Sequence, residues 1–181
     1  MRLSKPRIPP LADDEIDPST RDRFGGGPML NIFRTLARSP KLMSRWLVFA
    51  NHILGHNSMP PRERELVILR IGWLCRSGYE WGQHVAIGRD CGLEDSEIDR
   101  IPDGPDAEGW SEWDRVLLQA TDELHADAFV SDPTWEALKT GYSETQCVDL
   151  VFTVGQYNLV SMALNTFGVQ PEDGLTPLPR G

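Results

Sequence analysis

The chain has 181 residues, 40% of them hydrophobic and 25% charged, with a formal net charge of −9. That length suits one domain with a real core, and the composition is that of a soluble globular protein. The acidic balance argues against a nucleic-acid groove and against adhesion to an anionic membrane, while a local arginine could still hold a small anionic substrate.

In chain order, residues 1–38 read as an arm. Pro6, Pro9, Pro10, Pro18 and the run Gly25-Gly26-Gly27-Pro28 make it irregular, with a turn of helix at 19–24 and a short helix at 29–37. The triple glycine lacks the preceding strand and the following Lys-Ser/Thr of a phosphate loop. The arm is expected to wrap its own domain or a neighbouring subunit. Ser39-Pro40 starts a helix over 40–55, with Leu42, Trp46, Phe49, Ile53 and Leu54 at helical spacing. Pro60-Pro61 opens the next helix, which is apolar on two stripes and so largely buried; Gly78 breaks it. A second helix follows over 79–91 and stops at Gly92.

A short helix over 95–101 and a loop over 102–109 come next. Ser111 caps a helix running to Ala128, and Asp132-Pro133 starts another that reaches Gly141. Ser143 with Gln146 forms a capping box for a last helix to about Phe167. The apolar run 150–169 is interrupted by Gln156, Asn158 and Asn165, so it reads as a buried core helix, not a membrane span. The tail is 171–181. No segment alternates with period two, so the expected fold is all-α, with seven to eight helices in a domain spanning 39–170.

The basic, proline-rich N-terminus has no apolar stretch of the secretory kind. Cys75, Cys91 and Cys147 are odd in number and form no CxxC, which fits a reducing, cytoplasmic setting and three small buried hydrophobes.

The chemistry-bearing stretch is 62–92. Glu80 and His84 lie four apart, on one face of a helix and one turn from each other. An acid beside an imidazole, near Trp73, Tyr79 and Trp81, is what proton transfer requires. The plainer reading is a surface ion pair, but Trp81, Val85 and Ile87 mark a helix with substantial burial.

The segment PRERELVILRIGWLCRSGYEWGQHVAIGRDCGL resembles the carboxymuconolactone decarboxylase family of the AhpD-like superfamily. The resemblance covers 40–101 well and 111–170 more loosely. It implies an AhpD-like helical bundle and a homo-oligomer. The peroxidase branch carries CxxCxxxH; counted back from His84, its cysteines would fall at Ser77 and Glu80, and neither is cysteine here. The resemblance therefore implies decarboxylase-like chemistry, with His84 as general acid or base and Glu80 orienting it or relaying the proton. Glu65 matches an acidic family position and is either a supporting partner or an ordinary acid in a first helical turn.

The implied enzyme is a cofactor-free lyase or isomerase acting on a small carboxylated aromatic or lactone compound, as in aromatic catabolism. No metal is expected: His52 and His56 have ligand-like spacing but no third donor nearby. Tyr79 and Trp81 are candidate substrate contacts. Arg70 would either bind a substrate carboxylate or pair with a buried acid, and Asn158 is a pocket residue or a structural cross-link. Two other readings stay open: a thiol peroxidase using Cys75 or Cys91, and a non-catalytic helical binding module.

Overall fold

The computed structural model describes residues 2–179; Met1 of the arm and Arg180 and Gly181 of the tail lie outside it. The described residues form nine α-helices and no strand: α1 (Pro18–Asp22), α2 (Asn31–Leu36), α3 (Pro40–Gly55), α4 (Pro61–Leu74), α5 (Gly78–Asp90), α6 (Asp95–Arg100), α7 (Glu112–Asp127), α8 (Asp132–Gly141) and α9 (Glu144–Phe167). The all-α expectation holds. The count exceeds seven to eight because the turn in the arm is a full helix: Pro18 supplies a preset φ, and the Asp17 carboxylate accepts the Thr20 N–H at 3.2 Å.

Local signals place most boundaries. Ser111 Oγ accepts the Asp114 N–H at 3.0 Å, and Ser143 N–H donates to Gln146 Oε1 at 3.0 Å in the expected capping box. Ser39, by contrast, makes no side-chain cap. The α4–α5 junction also differs from expectation. Gly78 does not break the chain but begins α5; the left-handed residue is Arg76, at φ 53°. Ser77 N–H then reaches back to the Gly72 carbonyl at 2.9 Å, closing the end of α4.

The centre of the molecule is α4, in which every residue from Arg64 to Gly72 is buried. It packs against α5, α7 and α9, which explains its two apolar stripes: a helix surrounded by others has no solvent face to keep polar. Its contact with α5 is close at Gly88, where a Cβ would stand 3.1 Å from Leu93 Cδ1 and 3.3 Å from Leu69 Cδ1. By length and composition α9 could cross a membrane, but 56% of its most apolar window is buried within the bundle.

The arm wraps its own domain. Arg7 N–H donates to the Phe167 carbonyl at 2.8 Å and Arg2 to the Cys75 carbonyl at 3.2 Å, while Leu11 N–H donates to the Arg34 carbonyl of the arm's own α2 at 3.2 Å. The tail returns over α5, with Leu175 and Thr176 seated at Gly82. Glu172 of the tail accepts the Asn31 N–H of α2 at 2.7 Å. Arm and tail are thereby tied to each other next to α5.

Candidate active site

Three side chains meet between α4 and α5. His84 is one turn beyond Glu80 on α5, and Glu65 faces it from the first half of α4. His84 Nδ1 lies 2.6 Å from Glu65 Oε2, and Nε2 lies 2.9 Å from Glu80 Oε1. Glu80 and His84 are 5% exposed and Glu65 is fully buried. Neither plainer reading describes them: the Glu80–His84 pair is not on the surface, and Glu65 is not in a solvated turn. The second oxygen of Glu65 accepts from Arg64 Nε at 3.0 Å. The side chains thus alternate in sign, Arg64–Glu65–His84–Glu80, so each charge removed from water faces an opposite one.

Burial by itself would lower the His84 pKa. The hydrogen bonds to Glu65 and Glu80 and the charges behind them outweigh it, raising the imidazole from 6.5 to about 9. At neutral pH the ring is an imidazolium whose two N–H groups donate to the two carboxylates. The Tyr157 ring stands edge-on to it, with centroids 4.8 Å apart and planes at 85°. Burial, then the charges of Glu80 and Glu65, hold the Tyr157 phenol well above its ordinary pKa.

Glu80, His84 and Tyr157 line a cavity of about 150 Å³; Glu65 stands behind them and does not. The other walls come from elements far away in sequence: Leu30, Ile32 and Phe33 at α2, Trp46 and Asn51 on α3, Gln83 on α5 and Gln156 on α9. Sequence reading missed these residues. Those of the arm had no signal, because an irregular proline-rich segment does not say which surface it will cover. Gln156 did have one, as a polar group among the apolar residues of α9, where Tyr157 is already a candidate.

The structure separates the proposed substrate contacts. Tyr79 lines the cavity, but its hydroxyl is already engaged, accepting the Ile32 N–H at 3.3 Å and donating to Glu172 at 3.0 Å. Burial and the Glu172 charge raise its pKa. Trp81 is turned into the main core and is not a cavity residue. Arg70 is also elsewhere. It makes a two-pronged pair with Asp122 at 2.6 and 2.7 Å, donates to the Ile101 and Pro102 carbonyls, and stacks on Trp73. The proposed carboxylate clamp is therefore corrected to the other alternative, an ion pair tying α4 to α7, buried at Arg70 and partly exposed at Asp122. Asn158 Oδ1 accepts from Cys75 Sγ at 3.0 Å, outside the cavity, which makes it a cross-link between α4 and α9.

The thiols have the wrong electrostatics for nucleophiles. Burial pushes up the pKa of Cys75, and burial with the nearby Glu65 charge pushes up that of Cys91. Ser77, where the first cysteine of CxxC would fall, is fully buried and its hydroxyl has no partner among the described residues. No cluster of three or more His, Cys, Asp or Glu side chains is placed to hold a metal among the described residues. His52 instead faces Asp149, at 3.8 Å.

Residues 40–123 match the model of the carboxymuconolactone decarboxylase family. That segment contains all three residues of the Glu65–His84–Glu80 chain. No curated protein matches the sequence. Among solved structures, the chain is similar to an uncharacterized peroxidase-related protein from Silicibacter sp. TM1040, with 17% identity and a TM-score of 0.80 over 94% of this chain and 96% of that one. It is similar also to the alkylhydroperoxidase AhpD core protein, described as peroxidase-related, from Ralstonia eutropha JMP134, with 21% identity and a TM-score of 0.75 over 93% of each chain. A third likeness is to the debrominase Bmp8 in complex with 2,3,4-tribromopyrrole, at 14% identity and a TM-score of 0.75 over 94% of each chain. At these identities the likeness establishes the AhpD-like helical fold.

Proposed function

We propose, from the premise that residues 40–123 are a carboxymuconolactone decarboxylase family segment on an AhpD-like fold, that this protein is a cofactor-free proton-transfer enzyme. Its substrate is a small carboxylated aromatic or lactone compound. The observation that carries the reading is the buried Glu65–His84–Glu80 chain, whose Glu80 end opens on a cavity of about 150 Å³.

The roles follow from position. Glu65, held by Arg64, fixes Nδ1 of His84 and keeps the ring charged. The Nε2 proton shared with Glu80 is at the cavity end and is the one a substrate can receive. In a decarboxylation, the bond to the carboxylate carbon breaks and carbon dioxide leaves. The electron pair stays behind as an enolate, and the proton from the His84–Glu80 pair is delivered to its carbon. The imidazolium also stabilises the negative charge before that transfer. His84 is the only basic side chain lining the cavity among the described residues, so a substrate carboxylate there meets one cation, with Asn51, Gln83 and Gln156 in the same walls. Run as abstraction followed by redelivery, the same proton chain serves an isomerase.

The test is turnover of candidate lactone and aromatic acids by the wild type and by His84→Gln and Glu80→Gln. Each variant should lose about 10²–10⁴-fold in kcat; full activity in both would overturn the assignment. Two observations weigh against the other readings. The raised thiol pKa values disfavour a peroxidase working through Cys75 or Cys91, and a cavity abutting His84 disfavours a packed, non-catalytic module.

We propose also that the protein is a homo-oligomer. Val148, Phe152, Leu159 and Met162 of α9 are exposed, as are Leu42, Val48 and Phe49 of α3. The α9 residues recur at heptad spacing, with Gly155 supplying the missing step, which is the pattern of a helix seam.

A further inference from the structure

Beside the His84 cavity lies a second, larger one of about 210 Å³, between α2, α3 and α9. The two share three wall residues, Ile32, Trp46 and Val160. Beyond them the second cavity is bounded by Leu36, Ala163 and Phe167 and by Leu42 and Leu159, which also belong to the exposed α3–α9 face, and no ionisable side chain lines it. The first compartment holds Glu80, His84, Tyr157, Gln83, Gln156 and Asn51. The first compartment thus sets a few polar groups among apolar walls, and the second is apolar almost throughout.

We infer that the ligand of this protein is an amphiphile. A compact oxygen-bearing head sits against Glu80 and His84, and an alkyl or comparably apolar tail crosses Trp46 into the compartment between α2, α3 and α9. The position of the head rests on the proton-transfer reading of the His84 site; the tail compartment stands on its own walls. A substrate confined to the head cavity would make no contact with this space. An elongated one uses it to hold the head in place, since apolar burial is non-directional but grows with buried length. The binding step is then driven by the tail, and the proton chain acts on the head.

A series of para-alkylphenols, from para-cresol to para-hexylphenol, tests this by calorimetric titration of the purified full chain in its native oligomeric state. The phenol hydroxyl can donate to Glu80, and only the tail varies. Affinity should rise about fourfold for each added methylene. In Ala163→Phe, which fills the tail compartment from α9, the rise should vanish while cresol binding stays the same. Leu36→Trp fills the compartment from the short helix α2 and gives the same reading if the α9 variant does not fold. A flat series in the wild type would overturn the inference, as it would if a second copy's side chain filled the space. So would a chain-length gain that survives both fillings. His84→Gln should leave the chain-length gain intact, so loss of turnover and loss of tail binding are read separately.

Discussion

Glu65 and His84 are nineteen residues apart in sequence and 2.6 Å apart in space, and Glu65 is fully buried. Its carboxylate meets Arg64 on one oxygen and His84 on the other, so two buried groups find their partner in it. Glu65 and Glu80 together raise the imidazole pKa against the pull of burial, and Glu80 presents the ring to the cavity.

The first prediction concerns stability and pH. His84 is raised from 6.5 to about 9 on folding. Between those values the folded state binds a proton that the unfolded state has released, so stability falls as pH rises through this window. The contribution is fully present below pH 6.5 and gone above about 9. Denaturant titrations at several pH values should show wild type losing stability across it relative to His84→Gln, by a few kcal/mol. Parallel curves for the two proteins would contradict the assigned protonation state.

The second concerns activity. Removing the charge at position 65 leaves His84 with one carboxylate, so its pKa falls. Because the acid form is the proton donor, activity should be lost on the alkaline side. In Glu65→Gln that alkaline limb should move to lower pH, whereas Glu80→Gln should depress the rate across the whole range. The pH profile of kcat distinguishes the two, and an unmoved limb in Glu65→Gln would remove Glu65 from the mechanism.

Arg70 gives a third. It is 5% exposed and holds Asp122 and two carbonyls away from the cavity. Arg70→Ala should destabilise the fold by about 1–3 kcal/mol, because it leaves the carbonyls and the partly exposed Asp122 without their donor. At a temperature where the variant remains folded, KM should match wild type. A selective rise in KM for carboxylated substrates would restore Arg70 as a substrate contact.

The fourth is local. Arg76 is exposed and left-handed, at φ 53°, a conformation that favours glycine. Arg76→Gly should raise stability by about 1 kcal/mol and increase Tm, with no effect on turnover.

The fifth is the assembly. Phe152→Glu and Leu159→Glu place charges in the exposed seam of α9. Light scattering should show wild type as an oligomer and the double variant reduced to a smaller species with unchanged helicity. A monomeric wild type would show instead that the stripe serves something other than self-association.

The sequence by itself determined the helices and most of their ends. Periodicity, proline at a first turn and the caps at Ser111 and Ser143 are local signals, acting through the nearest backbone groups. It also placed Glu80 and His84 together, because a helix fixes neighbours four apart. The tertiary structure decided everything that depended on which helix meets which. It made Glu65 a partner of His84 rather than a solvated acid, and it gave Arg70 to Asp122. It folded the irregular arm and Glu172 of the tail around the cavity, and it chose which side of the nearly all-apolar α9 stayed outside. Those outcomes follow from packing, in which burial drives association without specifying partners and charges settle where burial leaves an opposite charge within reach.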